Sequence, residues 1–216
     1  MFFKIAGIPT DGIEPVLFYM SGISIWNYFS SCLTATSNTF VANAAIFGKV
    51  YFPRLVIPIS TVMSNIIKFA IQFLLLLVLM GWYGIKDGHF HFGASWLLIP
   101  ILVLMMAGLG LGLGIIISSL TTKYRDFTVL IGFAVQLLMY ATPVAYPLSF
   151  LKTKSFAAWI AWNPLTPIVE AFRYALFGTG TVDITGLLYS TGFIVVVVFA
   201  GLLIFSKVER SFMDTV

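Results

Sequence analysis

The stretch from Ile66 to Tyr83, built around Phe73-Leu74-Leu75-Leu76-Leu77-Val78-Leu79-Met80, leaves this chain few folds to choose from. A helix needs roughly 20 apolar residues to cross a bilayer. Comparable stretches recur at Trp96–Leu120 and at Leu187–Phe205, the last containing Val195-Val196-Val197-Val198. Phe127–Tyr146 is a further span, with Gln136 as its one amide. Val16–Ala35 is a weaker one, interrupted by Ser21, Ser24, Asn27, Ser30 and Ser31. Small polar residues at that density predict a helix buried among other helices rather than facing lipid. Only 9% of the residues are charged and 60% are hydrophobic, whereas soluble domains carry about 25% charged residues. The expected fold is therefore all-α: a single polytopic membrane domain over 1–216, with about five transmembrane helices and short helices on one side.

Charge placement sets an expected topology. The net charge is +4, but no basic run suggests nucleic-acid binding. Lys49 and Arg54, Lys123 and Arg125, and Lys207 and Arg210 fall on one side of five spans, with Lys68 read as lying just inside a helix end. Lys4, Lys86, Lys152, Lys154 and Arg173 fall on the other. The first set lies in short loops against helix ends, where the positive-inside rule acts best, so that side is assigned to the cytoplasm. The segment Pro147–Gly186 is then outside. Five spans put the N-terminus outside with no signal peptide in view, and the expectation is that an upstream span is missing.

Little here can do covalent chemistry. His89 and His91 stand two apart with no third ligand, whereas a zinc site wants at least three; a solvated hairpin is the simpler reading. Cys32 stands alone. No GxxxxGK[ST] loop is present, so any ATP is bound by another chain. Gly108-Leu109-Gly110-Leu111-Gly112-Leu113-Gly114 looks like a dinucleotide loop only superficially. Inside an apolar span it makes two overlapping GxxxG pairs, Gly108/Gly112 and Gly110/Gly114, which allow close helix approach. No catalytic residue, metal ligand or cofactor is assigned.

Two regions stand out as functional. The patch Lys49-Val50-Tyr51-Phe52-Pro53-Arg54, together with the charged turn holding Arg125 and Asp126, is placed to meet a cytoplasmic partner. On the other side, Pro143 and Pro147 forbid a regular helix beyond that point. Thr166 before Pro167 reads as a cap with proline at the first helical position, the helix stops at Gly178, and Glu170 can pair with Arg173 at i, i+3. Two short helices at or dipping into the outer leaflet are expected. Tyr140, Pro143, Tyr146, Trp162, Glu170 and Arg173 are the residues assigned to a gate or glycan path, with interfacial anchoring as the simpler role for the aromatics.

These motifs occur in an order that resembles the permease subunits of type-2 ABC transporters for polysaccharide export. The carriers are Val41-Ala42-Asn43-Ala44, Lys49 to Arg54, Tyr124-Arg125-Asp126-Phe127, Gln136, Thr142-Pro143-Val144 to Tyr146-Pro147, Asn163-Pro164-Leu165 and Glu170-Ala171-Phe172-Arg173. The resemblance implies six spans per subunit in the inner membrane, a homodimer, and two cytoplasmic ATP-binding subunits. It implies that Lys49, Tyr51, Phe52, Pro53, Arg54, Arg125 and Asp126 couple to those subunits, and that the outer helices form a gate. Against that pattern, the family's amphipathic N-terminal helix and first span are expected to be missing, with Met1 falling near the outer end of that span. The expected function is export of a lipid-linked polysaccharide, such as O-antigen, capsule or teichoic acid, with ATP hydrolysed elsewhere. Alternatives are an exporter of a drug or small lipophile, or a non-transporting membrane scaffold. Secondary transport is disfavoured, because no acid is read within a span.

Overall fold

The computed structural model describes residues 10–43, 53–87, 93–121, 127–151, 157–180 and 182–213. Every regular element among them is helical. In chain order these are α1 (Pro15–Ser37), α2 (Thr39–Ala42), α3 (Val56–Asp87), α4 (Leu98–Thr121), α5 (Phe127–Tyr140), α6 (Ala157–Ala161), α7 (Leu165–Phe177) and α8 (Ile184–Met213), with 3₁₀ turns at Ala94–Leu97 and Leu148–Leu151.

Three stretches are long and apolar enough to cross a membrane: Val56–Ile85, Ala94–Thr121 and Ile184–Val208. They coincide with the three most apolar runs of the sequence. The exposed sides of α3 and α8 are apolar, including Ile67, Ile71, Leu74 and Val78 on α3 and Val195, Val196 and Phe199 on α8. In water those faces would be costly; against acyl chains they are matched. The protein is an all-α, polytopic membrane protein.

The weak span Val16–Ala35 falls within α1, a helix of 23 residues. Its Ser21, Ser24, Ile25, Phe29 and Cys32 are buried, the ser-rich helix being held between α3 and α4. Ser21 and Ser24 send their hydroxyls back to the carbonyls of Phe18 and Met20, at 2.8 and 2.7 Å, so neither enters the interior unpaired.

Two expectations need correcting. The span drawn as Phe127–Tyr146 is helical only to Tyr140, and its 14 residues extend about 21 Å at 1.5 Å per residue. Pro143 has no N–H for the next helical bond and disfavours helical geometry at Thr142, so the chain turns at Ala141 instead. Thr142 closes the end by donating its hydroxyl to the Leu138 carbonyl at 2.9 Å. Lys68 also does not sit near a helix end. It lies within α3, twelve residues past Val56 and nineteen before Asp87.

The core has α4 at its centre, with α1 against one side and α8 against the other. Glycine spacing makes both contacts close. A Cβ at Gly110 would stand 2.8 Å from Cys32 Cβ, and one at Gly114 would stand 2.6 Å from Thr36 Cβ, both on α1. A Cβ at Gly108 would meet Ile194 at 3.0 Å, and one at Gly112 would meet Val197 and Val198 at 3.0 Å, all on α8. The two overlapping glycine pairs thus serve two different neighbours. Gly201 of α8 returns the fit, since its Cβ position lies 3.0 Å from the Gly112 carbonyl oxygen.

Candidate functional site: the two ends of the bundle

The described residues on either side of the Lys49 and Arg125 segments converge at one end of the bundle. Phe40 stacks on Phe205 with ring centroids 4.7 Å apart, and Ile115 completes a small apolar cluster with them. Leu55 just before α3, Ile57 in its first turn and Val208 from α8 pack against that cluster. The Phe40 N–H donates to Ser118 Oγ at 3.3 Å, and Thr121 Oγ1 donates to the Ser37 carbonyl at 3.1 Å. Asn43, Pro53 and Thr121 therefore lie at the same end of the bundle, beside the C-terminal half of α8. Lys49, Tyr51, Phe52, Arg125 and Asp126 lie outside the described residues. Pro53 is exposed, whereas the Arg54 side chain is 8% exposed. Arg54 is thus packed into the protein rather than displayed, which the sequence pattern did not indicate.

At the opposite end, the broken end of α5 is clamped by α7. The Arg173 guanidinium, 3% exposed, donates to the Pro143 carbonyl at 2.7 Å and to the Val144 carbonyl. Its Nη1 also meets Glu170 Oε1 at 3.2 Å. The Arg173 Cζ lies 3.9 Å from the centroid of the Phe18 ring on α1. One side chain therefore ties α1, the α5 break and α7 together. Burial pulls the Arg173 pKa down to about 10, with Glu170 pulling it back, so it stays cationic at neutral pH. Burial raises the Glu170 carboxyl above its ordinary value, against the opposing effects of Arg173 and the Leu148 N–H.

Asn163 supplies a second clamp. Its Nδ2 donates to the Ala141 carbonyl at 3.1 Å and to Thr142 Oγ1 at 2.9 Å, while its Oδ1 accepts from the Leu165 N–H at 3.0 Å. That last bond opens α7. The helix begins at Leu165 with Pro164 at the cap, so Pro167 is not its first residue. Thr166 is not the cap either: its hydroxyl donates to the Ile160 carbonyl at 2.7 Å, joining α6 to α7. At the far end Gly178 adopts φ +68°, the left-handed geometry that ends a helix, and its N–H bonds the Tyr174 carbonyl. Between these ends α7 is buried on nearly all sides, by Ile168, Val169, Phe172 and Leu176 among others. It dips into the bundle rather than lying on a surface.

The aromatic residues of this end separate into two groups. Tyr140, Trp159 and Trp162 are exposed, Trp162 meeting Tyr189 of α8 edge-on at 6.4 Å. Tyr146 is partly buried and donates its hydroxyl to the Tyr140 carbonyl at 2.7 Å, folding the segment after Pro143 back over the helix end. Of the six residues assigned to a gate, Pro143, Glu170 and Arg173 form one bonded unit, Tyr140 and Tyr146 a second beside it, and Trp162 stands at the surface. Gly22 was not singled out from the sequence. A Cβ there would lie 2.6 Å from the Val144 carbonyl oxygen and 2.7 Å from Arg173 Nη2; only its place in a crowded helix hinted at such a role.

The family model for "ABC-2 type transporter" matches residues 1–177. This chain belongs to the ABC-2 type transporter family. Two relatives from Klebsiella pneumoniae, each named O-antigen export system permease protein RfbA, are 33% and 32% identical over 201 residues. Each alignment takes in 92% of this chain and 74% of the relative. A Myxococcus xanthus protein of the same name is 26% identical over 202 residues, covering 92% of this chain and 75% of its own length. As an ABC-2 chain the molecule is a transport subunit of the membrane. The α1–α4 and α7 packing and the clamp around Arg173 all lie within the matched region.

Proposed function

We propose that this chain is the permease subunit of an ATP-driven exporter that moves a lipid-linked polysaccharide across the cytoplasmic (inner) membrane. ATP is hydrolysed by a separate cytoplasmic subunit, present in two copies on a permease homodimer. The observation that carries this reading is the 33% identity, over 92% of the chain, to a protein named as an O-antigen export permease. In this reading Lys49, Tyr51, Phe52, Pro53, Arg125 and Asp126 form the coupling surface at the Phe40–Phe205 end, with the buried Arg54 supporting it from within. Tyr140, Pro143, Tyr146 and Trp162 border the exit at the other end, positioned by Glu170 and Arg173. Aromatic faces suit a neutral glycan, whose C–H faces stack on π systems.

The lack of acids within α3, before Asp87, and throughout α4 and α5 fits coupling to a nucleotide-binding partner better than coupling to protons. Removing the gene and restoring it on a plasmid tests the proposal. Loss of surface polysaccharide, with lipid-linked glycan retained inside, is expected, and reversal on complementation. Unchanged surface polysaccharide in the deletion strain would overturn it.

A further inference from the structure

Lys68 is an ammonium on a membrane-crossing helix, and the described protein offers it no counter-charge. It is exposed on α3, about 18 Å along the axis from Val56 and about 28 Å from Asp87 at 1.5 Å per residue. The 32 residues of α3 extend about 48 Å, against a hydrocarbon thickness of about 30 Å. Either half of the helix therefore leaves Lys68 in the hydrocarbon or at its boundary. A charge there is expensive, and such residues pair or mark a site. Asp87 is the one acid on α3, and α1 carries none.

The surroundings of Lys68 are polar in one sector. Ser60, Ser64, Lys68 and Gln72 follow one another at i+4 spacing along α3, so they form a single stripe. The serine hydroxyls donate to their own helix, to the Ile57 and Ser60 carbonyls, both at 2.9 Å. Asn65, one turn before Lys68, is 4% exposed and its Nδ2 has no hydrogen-bond partner. Tyr28 of α1, against Phe69 at 5.3 Å, is 2% exposed and its hydroxyl likewise has none. Both donors face the Cys32 thiol of α1, too weak an acceptor to complete a hydrogen bond, and no oxygen accepts from either. Along the α1–α3 seam, then, two donors with only a thiol to turn to lie beside a cation that has no counter-charge among the described residues.

We infer that Lys68, with Gln72 beside it, holds the phosphate of a lipid at the α1–α3 seam. Phosphate is the anion that a membrane boundary supplies, and it accepts from an ammonium and an amide together. The phosphate has two sources, the headgroup of an ordinary anionic lipid and a phosphate joining lipid to glycan; the second source rests on the export reading above. This assigns to α3 a role in receiving or holding lipid that is separate from the clamp at Arg173.

The test is lipid binding to the purified full chain, delipidated and read by native mass spectrometry. Phosphatidylglycerol, a polyprenyl phosphate and phosphate-free diacylglycerol are the probes. One phosphate-bearing lipid per chain is expected to bind at least tenfold more weakly to Lys68→Gln. Lys68→Arg should retain it within about threefold, and diacylglycerol should not distinguish the three proteins. Polyprenyl phosphate displacing phosphatidylglycerol would identify the lipid–glycan linkage as the source; the reverse preference would identify the headgroup. If Lys68→Gln does not assemble, Gln72→Leu carries the test, with a severalfold loss expected. Equal phosphate-lipid binding by wild type and the variant that assembles would overturn the inference. Because binding is read without transport, failure of the export reading leaves this result intact and separable.

Discussion

Gly22 and Arg173 touch across the α1–α7 contact: a Cβ on Gly22 would stand 2.7 Å from the Arg173 Nη2 and 2.6 Å from the carbonyl oxygen that this nitrogen bonds. The glycine on α1 is therefore the space in which the α5 break and α7 are joined. Gly22→Ala should cost about 1–3 kcal/mol, the range for overpacking a filled interior. The check is thermal unfolding of the purified protein in detergent, and an unchanged melting temperature would show that the clamp yields freely.

Arg173 satisfies two backbone carbonyls and one carboxylate at once. Arg173→Met keeps bulk but strands Glu170 and the Pro143 and Val144 carbonyls, a loss of about 3–5 kcal/mol. Glu170→Gln keeps an acceptor beside Arg173 and should be milder. Limited proteolysis across Thr142–Pro147 should speed up in the first variant and change little in the second. Equal protection of both would remove the clamp.

The glycines of α4 and α5 differ in what surrounds them. A Cβ at Gly112 meets α8 at 3.0 Å, whereas nothing lies within 4 Å of one at Gly132. Gly112→Leu should therefore prevent stable assembly on a native gel, and Gly132→Leu should be tolerated. Loss of assembly in the Gly132 variant alone would mean that α5 is covered by another chain.

Trp162 is 73% exposed, while the Tyr146 hydroxyl is bonded to the Tyr140 carbonyl. Trp162→Ala should leave melting unchanged and, in the export reading, lower surface polysaccharide; a stacking contact is worth about 1–3 kcal/mol in the nucleic-acid analogue. Tyr146→Phe should affect the helix break first, by about 0.5–1.5 kcal/mol for one hydrogen bond. Normal surface polysaccharide in Trp162→Ala would leave Trp162 as an interfacial anchor.

Sidedness is checked by cysteine labelling with an impermeant reagent, in a Cys32→Ala background. A cysteine at Thr153 should react in intact cells, and one at Thr122 only after permeabilisation. The opposite pattern would invert the topology and move the coupling surface to the outside.

The sequence by itself determined the properties that depend on local pattern. The apolar runs marked α3, α4 and α8, because hydrophobic length alone decides what a bilayer accepts. The polar residues of α1 announced its burial and Gly178 stopped α7, while Pro143 foretold a break after α5 that falls six residues before the expected end. Glycine spacing declared close packing on α4, since a missing side chain permits it whatever the neighbour is. Which neighbour was decided in three dimensions: Gly110 and Gly114 face α1, whereas Gly108 and Gly112 face α8. The start of α7 was misread because Thr166 looks like a cap locally, while its hydroxyl is claimed by Ile160. The i, i+3 pairing of Glu170 with Arg173 was legible, but the burial of Arg173 was not. A guanidinium can leave water only where carbonyls and a ring meet it. Those at Pro143, Val144 and Phe18 are brought there by packing among α1, α5 and α7, which no spacing along the chain records.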